Sequence, residues 1–462
     1  MDIGLLVLSL AVPTLLGWKI LEVFLSDKNV FFLLERILFA YGLGFGCITL
    51  SMFYLSLLGL SFYVHLIIFL FLICLLVVHK HRPKELTGTK QLSLVAYSGN
   101  IFTQPLSLFM LLFIAVNIFI LFLRTMLIDV DMWDSWAFWA FKAKIFYHHK
   151  IIPLEIFPKF KEVWGNWDYP LHVPLMETWI LLWVGYWNDL LPRIIFPLFY
   201  TGICIVGFSF LRRHVSLRAA LAGTCFFASL RGLQIYTIGT IAEPVLLFYY
   251  LASFVLLDRW REKGDDRFLI LSAVFAGIML WTKSEALILV GGNIFFILFF
   301  IAKNQDFKKI LLKVAWYIFI VVIIIAPWNL FKVATNIENV AFNKNYLQLA
   351  QIPNYITRLK TIPQVFCYHF FNLPVWNILW LLMGFACAYN VKFQKNKIAT
   401  PILFIIFFEF IVCALGYVTI SWGEEVFVYD TMNRLMIAPA LLAILYSSLI
   451  LFGQTEKERL SD

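Results

Sequence analysis

The feature that most constrains the fold is a series of apolar runs, each about 20 residues long, which is the length that spans a bilayer as an α-helix. These runs recur from one end of the 462-residue chain to the other. Inside lipid the backbone must satisfy its own hydrogen bonds, so the runs are predicted to be helices packed in a bundle. Only 14% of the residues are charged, against roughly 25% in soluble globular proteins. The sequence therefore predicts an all-α polytopic membrane protein that has the lipid bilayer as its partner.

About thirteen transmembrane helices are predicted, and the basic loops between them set the topology. The predicted spans are 3–25, 37–58, 62–78, 105–127, 190–211, 217–236, 241–257, 268–282, 286–302, 314–331, 374–389, 399–420 and 435–452. Lys and Arg gather in five of the loops, which the positive-inside rule places in the cytoplasm. That placement requires the Trp-rich segment 171–187 to be an interfacial helix that lies flat on the outer face. The expected N-terminus is then outside and the C-terminus inside.

Three regions follow from this topology. Residues 1–104 form N-terminal transmembrane helices, 105–452 form a larger transmembrane module, and 453–462 form a cytoplasmic tail. The larger module contains two large outer loops, at 128–189 and 332–373. The net charge of +9 is carried largely by the short cytoplasmic loops, so we expect no nucleic-acid partner. Seven scattered cysteines show no metal-binding spacing, so neither a disulfide framework nor a zinc site is expected.

Acidic, basic and aromatic residues concentrate in the stretch 129-DVDMWDSWAFWAFKAK-144, directly after a predicted span. It contains the carboxylates of Asp129, Asp131 and Asp134 and the ammonium groups of Lys142 and Lys144. Charged groups concentrated at a membrane surface indicate binding or chemistry at that surface. The tryptophans allow two interpretations, because Trp residues anchor interfacial helices and also stack on sugar rings.

Further ionisable residues are predicted at the outer ends of later spans, at one depth. They are Arg193, Glu243, Lys283, Glu285, Glu424, Glu425, Asp430 and Arg434. A helical bundle would bring them around one outward-facing cavity. Ordinary alternatives stand beside this prediction: single ionisable residues at span ends extend to the interface, and Glu243 before Pro244 also suits a normal helix start.

Five motifs follow one another along residues 105–450, the first of them given below as two overlapping stretches, and their order resembles that of one enzyme group. The motifs are 131-DMWDSW-136, 133-WDSWAFWAFKAKIFY-147, 168-DYPLHVPL-175, 192-PRIIFP-197, 281-WTKSEAL-287 and 429-YDTMNRL-435. The chain thus resembles bacterial polytopic glycosyltransferases of the GT-C fold, the group that includes protein O-mannosyltransferases and aminoarabinose transferases. Two departures are visible: the acidic motif is not the Asp-Glu pair of the O-mannosyltransferases, and 284-SEA-286 lacks the usual Asn and Gly.

The resemblance implies a membrane glycosyltransferase of the cell envelope. Such an enzyme moves a sugar from a polyprenyl-phosphate donor to an acceptor hydroxyl, with inversion, on the outer face of the bacterial inner (plasma) membrane. The acceptor would be a cell-envelope glycan, lipid or protein. One carboxylate serves as general base, and fixed cations stabilise the leaving phosphate. We expect no cofactor, with a divalent metal held by the acidic residues as the alternative.

The resemblance also suggests roles for individual residues. Asp134 would be the catalytic base, with Asp131 as its neighbour or substitute. The predicted phosphate-binding residues are Arg434, Lys283, Lys142, Lys144 and Arg193, and those for sugar or acceptor are Glu243, Glu285, His172 and Trp139. Two other functions remain open. One is a transporter or flippase for a lipid-linked or anionic solute, which buried charges near mid-bilayer would favour, and the other is a catalytically inactive lipid-binding scaffold.

Overall fold

The computed structural model describes residues 2–25, 31–64, 67, 71, 104–155, 167–301, 307–337, 352–393, 399–419 and 431–453. Within these residues every regular element is a helix, apart from a single isolated bridge between Val215 and Gly453. Most of the predicted span 62–78, the cytoplasmic tail and the predicted acidic residues Glu424, Glu425 and Asp430 lie outside the described residues.

The described helices are numbered in chain order. They are α1 (Asp2–Phe24), α2 (Leu33–Leu57), α3 (Pro105–Leu127), a π-helix (Ser135–Ala140), α4 (Phe141–His149), α5 (His172–Val184), a 3-10 turn (Leu191–Ile194), α6 (Ile195–His214), α7 (Leu217–Ser229), α8 (Arg231–Ile238), α9 (Glu243–Lys263), α10 (Asp266–Thr282), α11 (Ala286–Ile301), α12 (Phe307–Ala334), α13 (Ile352–Phe370), α14 (Leu373–Trp376), α15 (Leu379–Phe393), α16 (Ala399–Thr419) and α17 (Ile437–Phe452). A further short helical segment covers 431–435.

Six of the described helices are long and apolar enough to cross a membrane. They cover Ile3–Phe24, Leu33–Leu57, Pro105–Leu127, Leu191–His214, Leu311–Ala334 and Ala399–Gly416. Four shorter apolar helices accompany them. The all-helical fold and these apolar lengths fit an α-helical membrane protein, as the sequence predicted.

Helix α9 is the central element of the bundle. It is buried on every side from Glu243 to Trp260, and it packs against α6, α10 and α11. A helix that is apolar all round belongs in the interior of a bundle. At 1.5 Å per residue, Glu243 and Arg259 are about 24 Å apart along its axis. The two ends of α9 therefore lie at opposite ends of the bundle, and each end carries a cluster of charged residues.

Glycines let α2 pack closely against its neighbours. A Cβ atom on Gly44 would overlap the backbone carbonyl of Pro13 in α1, and one on Gly17 of α1 would overlap that of Ala40. Gly42 and Gly46 face Phe248 of α9 and Ile278 of α10 in the same way. Close approach of backbones through small residues is a common packing mode of membrane helices.

Two predicted elements differ in the structure. The span 217–236 is not one helix, because Leu230 adopts an extended conformation (φ −69°, ψ 97°) that separates α7 from α8. Side chains satisfy the carbonyl group released by this break: the Tyr200 hydroxyl and Gln234 Nε2 donate to the oxygen of Ala228, at 2.6 and 2.7 Å.

The segment 171–187 contains α5, whose 13 residues extend about 20 Å. That length is shorter than the roughly 30 Å hydrocarbon core, as a helix that does not cross requires. Its surroundings differ from the prediction, because α5 is buried against α1, α2 and α4 and has no broad exposed face.

Candidate active site

Five charged residues from distant parts of the chain meet at the Glu243 end of α9. They are Asp134, Glu243, Lys283, Glu285 and Arg434, and we call them the five-residue cluster. Arg434 Nη1 donates a hydrogen bond to Asp134 Oδ2, across 300 positions of sequence. Glu243 Oε1 lies 2.9 Å from Lys283 Nζ and 4.0 Å from Arg434 Nη1. Lys283 Nζ is also 3.5 Å from Glu285 Oε1, so the two cations alternate with the three carboxylates.

The acidic loop is held in place by a π-helix and a hydrogen bond. Asp134 immediately precedes the π-helix Ser135–Ala140, and π-helical turns occur frequently at functional sites. The hydroxyl oxygens of Ser135 and Thr240 are 2.5 Å apart. Thr240 has a positive φ of 48° and lies just before α9. This link fixes Asp134 beside Glu243, and the Asp134 side chain remains 23% exposed.

Glu243 is the buried centre of the cluster, with a side chain that is only 4% exposed. It is the first residue of α9 and precedes Pro244, so the positive end of the helix dipole favours its charge. A buried carboxylate also needs a cation as partner, and here Lys283 and Arg434 provide two. Helix-start chemistry alone therefore does not account for Glu243.

Both cations of the cluster remain protonated. Burial by itself lowers the pKa of Lys283, but Glu243 and Glu285 outweigh burial and raise this pKa above its usual value. Burial likewise lowers the pKa of Arg434, and Glu243 together with Asp134 raises it well above its usual value. Two fixed positive charges next to a partly exposed carboxylate form an arrangement that can hold an anion beside a base.

An aromatic wall continues the cluster on one side. The Tyr169 hydroxyl donates to Glu285 Oε1 at 2.7 Å, and Lys283 Nζ lies 5.7 Å from the centre of the Tyr169 ring. Trp139 stacks on Tyr169 with 5.7 Å between ring centres. Trp139 is 2% exposed, so in this structure its ring faces are covered. The sequence reasoning missed Tyr169, although it lies within the motif 168-DYPLHVPL-175.

Lys142 lies behind the aromatic wall and is fully buried. Its ammonium is 5.7 Å from the centre of the Trp139 ring and 5.3 Å from that of Trp167. Burial lowers the pKa of Lys142 to about 7, with the charge of Asp168 opposing the change. The charge of Asp168 also acts on Lys332 of α12. Two lysines around one carboxylate therefore form a second group of ionisable residues next to the aromatic wall.

Six of the predicted site residues lie outside the five-residue cluster, and two of them, Trp139 and Lys142, form or adjoin the aromatic wall. Asp131 and Lys144 are exposed, and the Lys144 ammonium is 5.2 Å from the Trp187 ring centre. Arg193 donates to the backbone oxygens of Asp189 and Ile128, at 2.9 and 3.0 Å. Its guanidinium thus joins the end of α3 to the 3-10 turn, and its role in binding phosphate stays a prediction.

His172 also lies outside the cluster, and its predicted role in binding sugar or acceptor does not agree with its position. It is completely buried. Its Nδ1 lies 2.7 Å from the Thr49 hydroxyl and its Nε2 lies 3.0 Å from the Tyr249 hydroxyl. Both ring nitrogens therefore have partners inside the core, and His172 is a structural residue that joins α5 to α2 and α9.

Glu409 is a buried acid that the sequence analysis did not consider. It lies in α16 within the candidate span Ala399–Gly416, is 1% exposed, and accepts a hydrogen bond from the Tyr250 hydroxyl. A single acid inside an apolar run is itself a signal of function in membrane proteins. That signal was present in the sequence as the only charged residue in 399–419.

The described residues contain one group whose ligand atoms are close enough to hold a metal ion. His214, Asp258 and Glu262 have ligand atoms within 4.8 Å of one another. This group lies near the Lys263 end of α9, away from the five-residue cluster. Asp258 already contacts His214 Nε2 at 2.8 Å through one oxygen and Arg261 Nη2 at 2.7 Å through the other, so side chains of the protein occupy both of its oxygens.

Comparison of the chain with protein-family models, with curated proteins and with solved structures found no match.

Proposed function

We propose that this protein is an inverting membrane glycosyltransferase of the GT-C type that uses a polyprenyl-phosphate sugar as donor. In this proposal about thirteen helices cross the bacterial inner membrane, and the five-residue cluster faces outward. The observation that carries the proposal is the joining of Asp134, Arg434 and Glu243 at one end of the central helix. A general base and a phosphate-binding cation are the two groups that such a transfer requires, and here they are in direct contact.

The contact suggests how donor binding prepares the base. Arg434 holds Asp134 in this structure. The donor phosphate would take over the guanidinium of Arg434, whose planar donors suit phosphate oxygens. Asp134 is then free to accept the proton of the acceptor hydroxyl. The acceptor oxygen forms its bond to C1 as the bond from C1 to the phosphate oxygen breaks, and the electron pair leaves with the phosphate.

The other residues fit supporting roles. Lys283 stays beside Glu243 and adds positive charge near the leaving phosphate. Glu285 and Tyr169 present a carboxylate and a hydroxyl, which can bind the hydroxyl groups of a sugar. The cluster alone contains three carboxylates and two cations, so a phosphate entering it needs additional positive charge. Lys142, with its pKa lowered to about 7 by burial, can supply that charge by taking up a proton when phosphate binds.

The test is release of polyprenyl phosphate from a panel of polyprenyl-phosphate sugars by the purified protein in detergent. Wild type should release it with a suitable donor and acceptor. Asp134→Asn should insert normally and lose activity by about 10²- to 10⁴-fold, the usual contribution of a general base. The matched control is Asp131→Asn, which changes an exposed carboxylate three positions away and should remain active. Near-normal release by Asp134→Asn would exclude the base assignment, and loss in Asp131→Asn alone would transfer it to Asp131.

Arg434 is tested separately through donor affinity. Arg434→Ala should weaken donor binding, because it removes the guanidinium that lies between Asp134 and Glu243. Arg434→Lys keeps the charge but loses the planar pair of donors, so it should recover part of the affinity. Unchanged donor binding in Arg434→Ala would end the phosphate assignment.

Glu409 supports one alternative, a transporter or flippase of a lipid-linked solute. An acid buried within a span can carry a proton during transport, and Tyr250 is its hydrogen-bond partner. Glu409→Gln separates the two functions. A transporter should lose movement of the lipid-linked sugar between the leaflets of proteoliposomes, whereas a glycosyltransferase should retain polyprenyl-phosphate release.

A further inference from the structure

A second charged cluster lies near the Lys263 end of α9, about 24 Å along that helix from the candidate active site. Its centre is Glu35 of α2, whose side chain is completely buried. Arg213, from the last turn of α6, places Nη1 3.3 Å from Glu35 Oε1. Arg259 of α9 places Nη2 3.7 Å from Glu35 Oε2. Two arginines from different helices thus share one carboxylate, and each side chain is 10% exposed.

The single carboxylate leaves much of the hydrogen-bonding capacity of these arginines unused. Nε and Nη2 of Arg213 and Nε of Arg259 are buried and have no acceptor among the described residues. A guanidinium offers five N–H donors, and a buried donor without a partner costs about 1–3 kcal/mol, more when it is charged. The unused donors of both arginines adjoin one carboxylate, so an added anion with several oxygens would satisfy them together.

The neighbouring charged groups that the structure describes do not satisfy these donors. Arg36, the residue after Glu35, is 6% exposed and lies over the Trp18 ring at 4.2 Å. Both oxygens of the nearby Asp258 already have partners, in His214 and Arg261. A buried donor on a charged group stays unfavourable until an acceptor reaches it, so the unused donors of Arg213 and Arg259 favour an added anion.

The position of the cluster indicates which anion. It lies where α2 begins and α6 ends, beside the connection from α6 to α7 and the connection from α9 to α10. Lys and Arg gather at both connections, which belong to the five basic loops that the sequence places in the cytoplasm. Basic pockets between transmembrane helices at that depth bind the headgroups of anionic lipids. We propose that Arg213 and Arg259 form a phosphate-binding site that takes the headgroup of an anionic phospholipid. This site is independent of the glycosyltransferase proposal.

The proposal is tested by the thermal midpoint and by native mass spectrometry of the full-length protein in detergent. Phosphatidylglycerol, phosphatidylcholine and inorganic phosphate are added separately. A ligand that binds only the folded state raises the midpoint according to its concentration and affinity. Phosphatidylglycerol should raise the midpoint and remain bound, phosphatidylcholine should do so less, and inorganic phosphate should have little effect. If inorganic phosphate stabilises as well as phosphatidylglycerol, the phosphate site stands and its ligand is the soluble ion.

Variants connect the effect to the two arginines. The double change Arg213→Gln and Arg259→Gln should weaken phosphatidylglycerol binding on the order of tenfold or more, since charge-assisted contacts to phosphate are among the stronger hydrogen bonds. Arg267→Gln is the control, because Arg267 is half-exposed at the same end of the bundle and pairs with Asp265. Equal phosphatidylglycerol binding by wild type and the double variant would overturn the proposal.

Glu35→Gln is expected to strengthen phosphatidylglycerol binding rather than weaken it. This variant tests the proposal even if the double variant does not fold. It leaves both arginines in place and removes the carboxylate that competes for them. The proposal requires a larger rise in midpoint with phosphatidylglycerol in Glu35→Gln than in wild type. A gain that is equal or smaller would show that phosphatidylglycerol does not compete with Glu35 for these arginines, and would overturn the proposal.

Discussion

At the scale of single residues, the sequence predicts depth but not partners. Glu243, Lys283 and Arg434 were expected at one level because each lies at the end of an apolar run. The structure adds that Glu243 contacts both of the cations, which depends on how α9, the turn after α10 and the segment 431–435 pack together. His172 shows the opposite case. Its imidazole suits a binding site as well as a core, and only the contacts with Thr49 and Tyr249 distinguish the two.

Lys142 leads to a prediction about pH at this same scale. Burial lowers its pKa from an ordinary value of 10.5 to about 7 in the folded protein. Between these two values the unfolded chain holds a proton that the folded protein has released. Stability from this group therefore rises as pH increases from about 7 to 10, with a slope approaching about 1.4 kcal/mol per pH unit. Below about pH 7 the lysine is charged in both states and the slope disappears.

The measurement is the thermal midpoint of wild type and Lys142→Met between pH 6 and 10. Lys142→Met keeps an unbranched side chain of similar length and removes the titrating group, so its midpoint should rise less with pH than that of wild type. Lys144→Met is the control, because Lys144 is exposed on the same helix, and its profile should follow wild type. Parallel profiles for wild type and Lys142→Met would show that Lys142 stays charged in the folded protein.

At the scale of helices, apolar runs predict where most elements lie, whereas breaks within them depend on tertiary contacts. The division between α7 and α8 is one example. The segment 217–236 contains no proline that would signal a break. The break at Leu230 is compensated by Tyr200 and Gln234, which donate hydrogen bonds to the backbone oxygen of Ala228. The glycines of α2 are the converse example. Gly42, Gly44 and Gly46 resemble the small-residue pattern of closely packed membrane helices, and the structure shows Gly44 against the backbone of α1.

The contact between α1 and α2 predicts a strong effect of one methyl group. Gly44→Ala would place a Cβ atom within the carbonyl of Pro13, and a backbone carbonyl cannot move aside as a side chain does. We expect the free energy of unfolding to fall by at least about 3 kcal/mol, at the upper end of the effects of overpacking. Gly4→Ala in α1 is the matched control, since no atom lies within 4 Å of its added Cβ, and it should be neutral or slightly stabilising because alanine favours helix.

Reversible unfolding in mixed detergent micelles measures both glycine variants. Gly44→Ala should unfold at a clearly lower denaturant concentration than wild type and Gly4→Ala should not. Similar stability of the two variants would mean that α1 and α2 can separate by a methyl group without cost, and that their close packing does not hold the N-terminal pair together.

At the scale of the whole molecule, the charged residues form two groups at opposite ends of one central helix. Three carboxylates and two cations meet around Glu243, whereas two arginines share the single carboxylate of Glu35. The sequence predicted this asymmetry from the basic loops. It did not predict that α9 joins the two groups, because the burial of α9 on all sides results from the helices around it. Around Glu243, a substrate phosphate can replace a protein carboxylate as the partner of a cation. Around Glu35, the unused arginine donors suit a lipid anion that stays bound.

This arrangement predicts the side of the membrane that each end faces. In a background in which all seven native cysteines are replaced by serine, single cysteines are introduced as Lys144→Cys near the candidate active site and Arg267→Cys at the arginine-rich end. Both positions are exposed enough to react. A membrane-impermeant maleimide added to intact spheroplasts should label Lys144→Cys at once, and Arg267→Cys only after permeabilisation. The reverse pattern would place the five-residue cluster in the cytoplasm and contradict an outward-facing transfer. Labelling of both without permeabilisation would mean that the helices between the two ends do not span the membrane, which would contradict the topology itself.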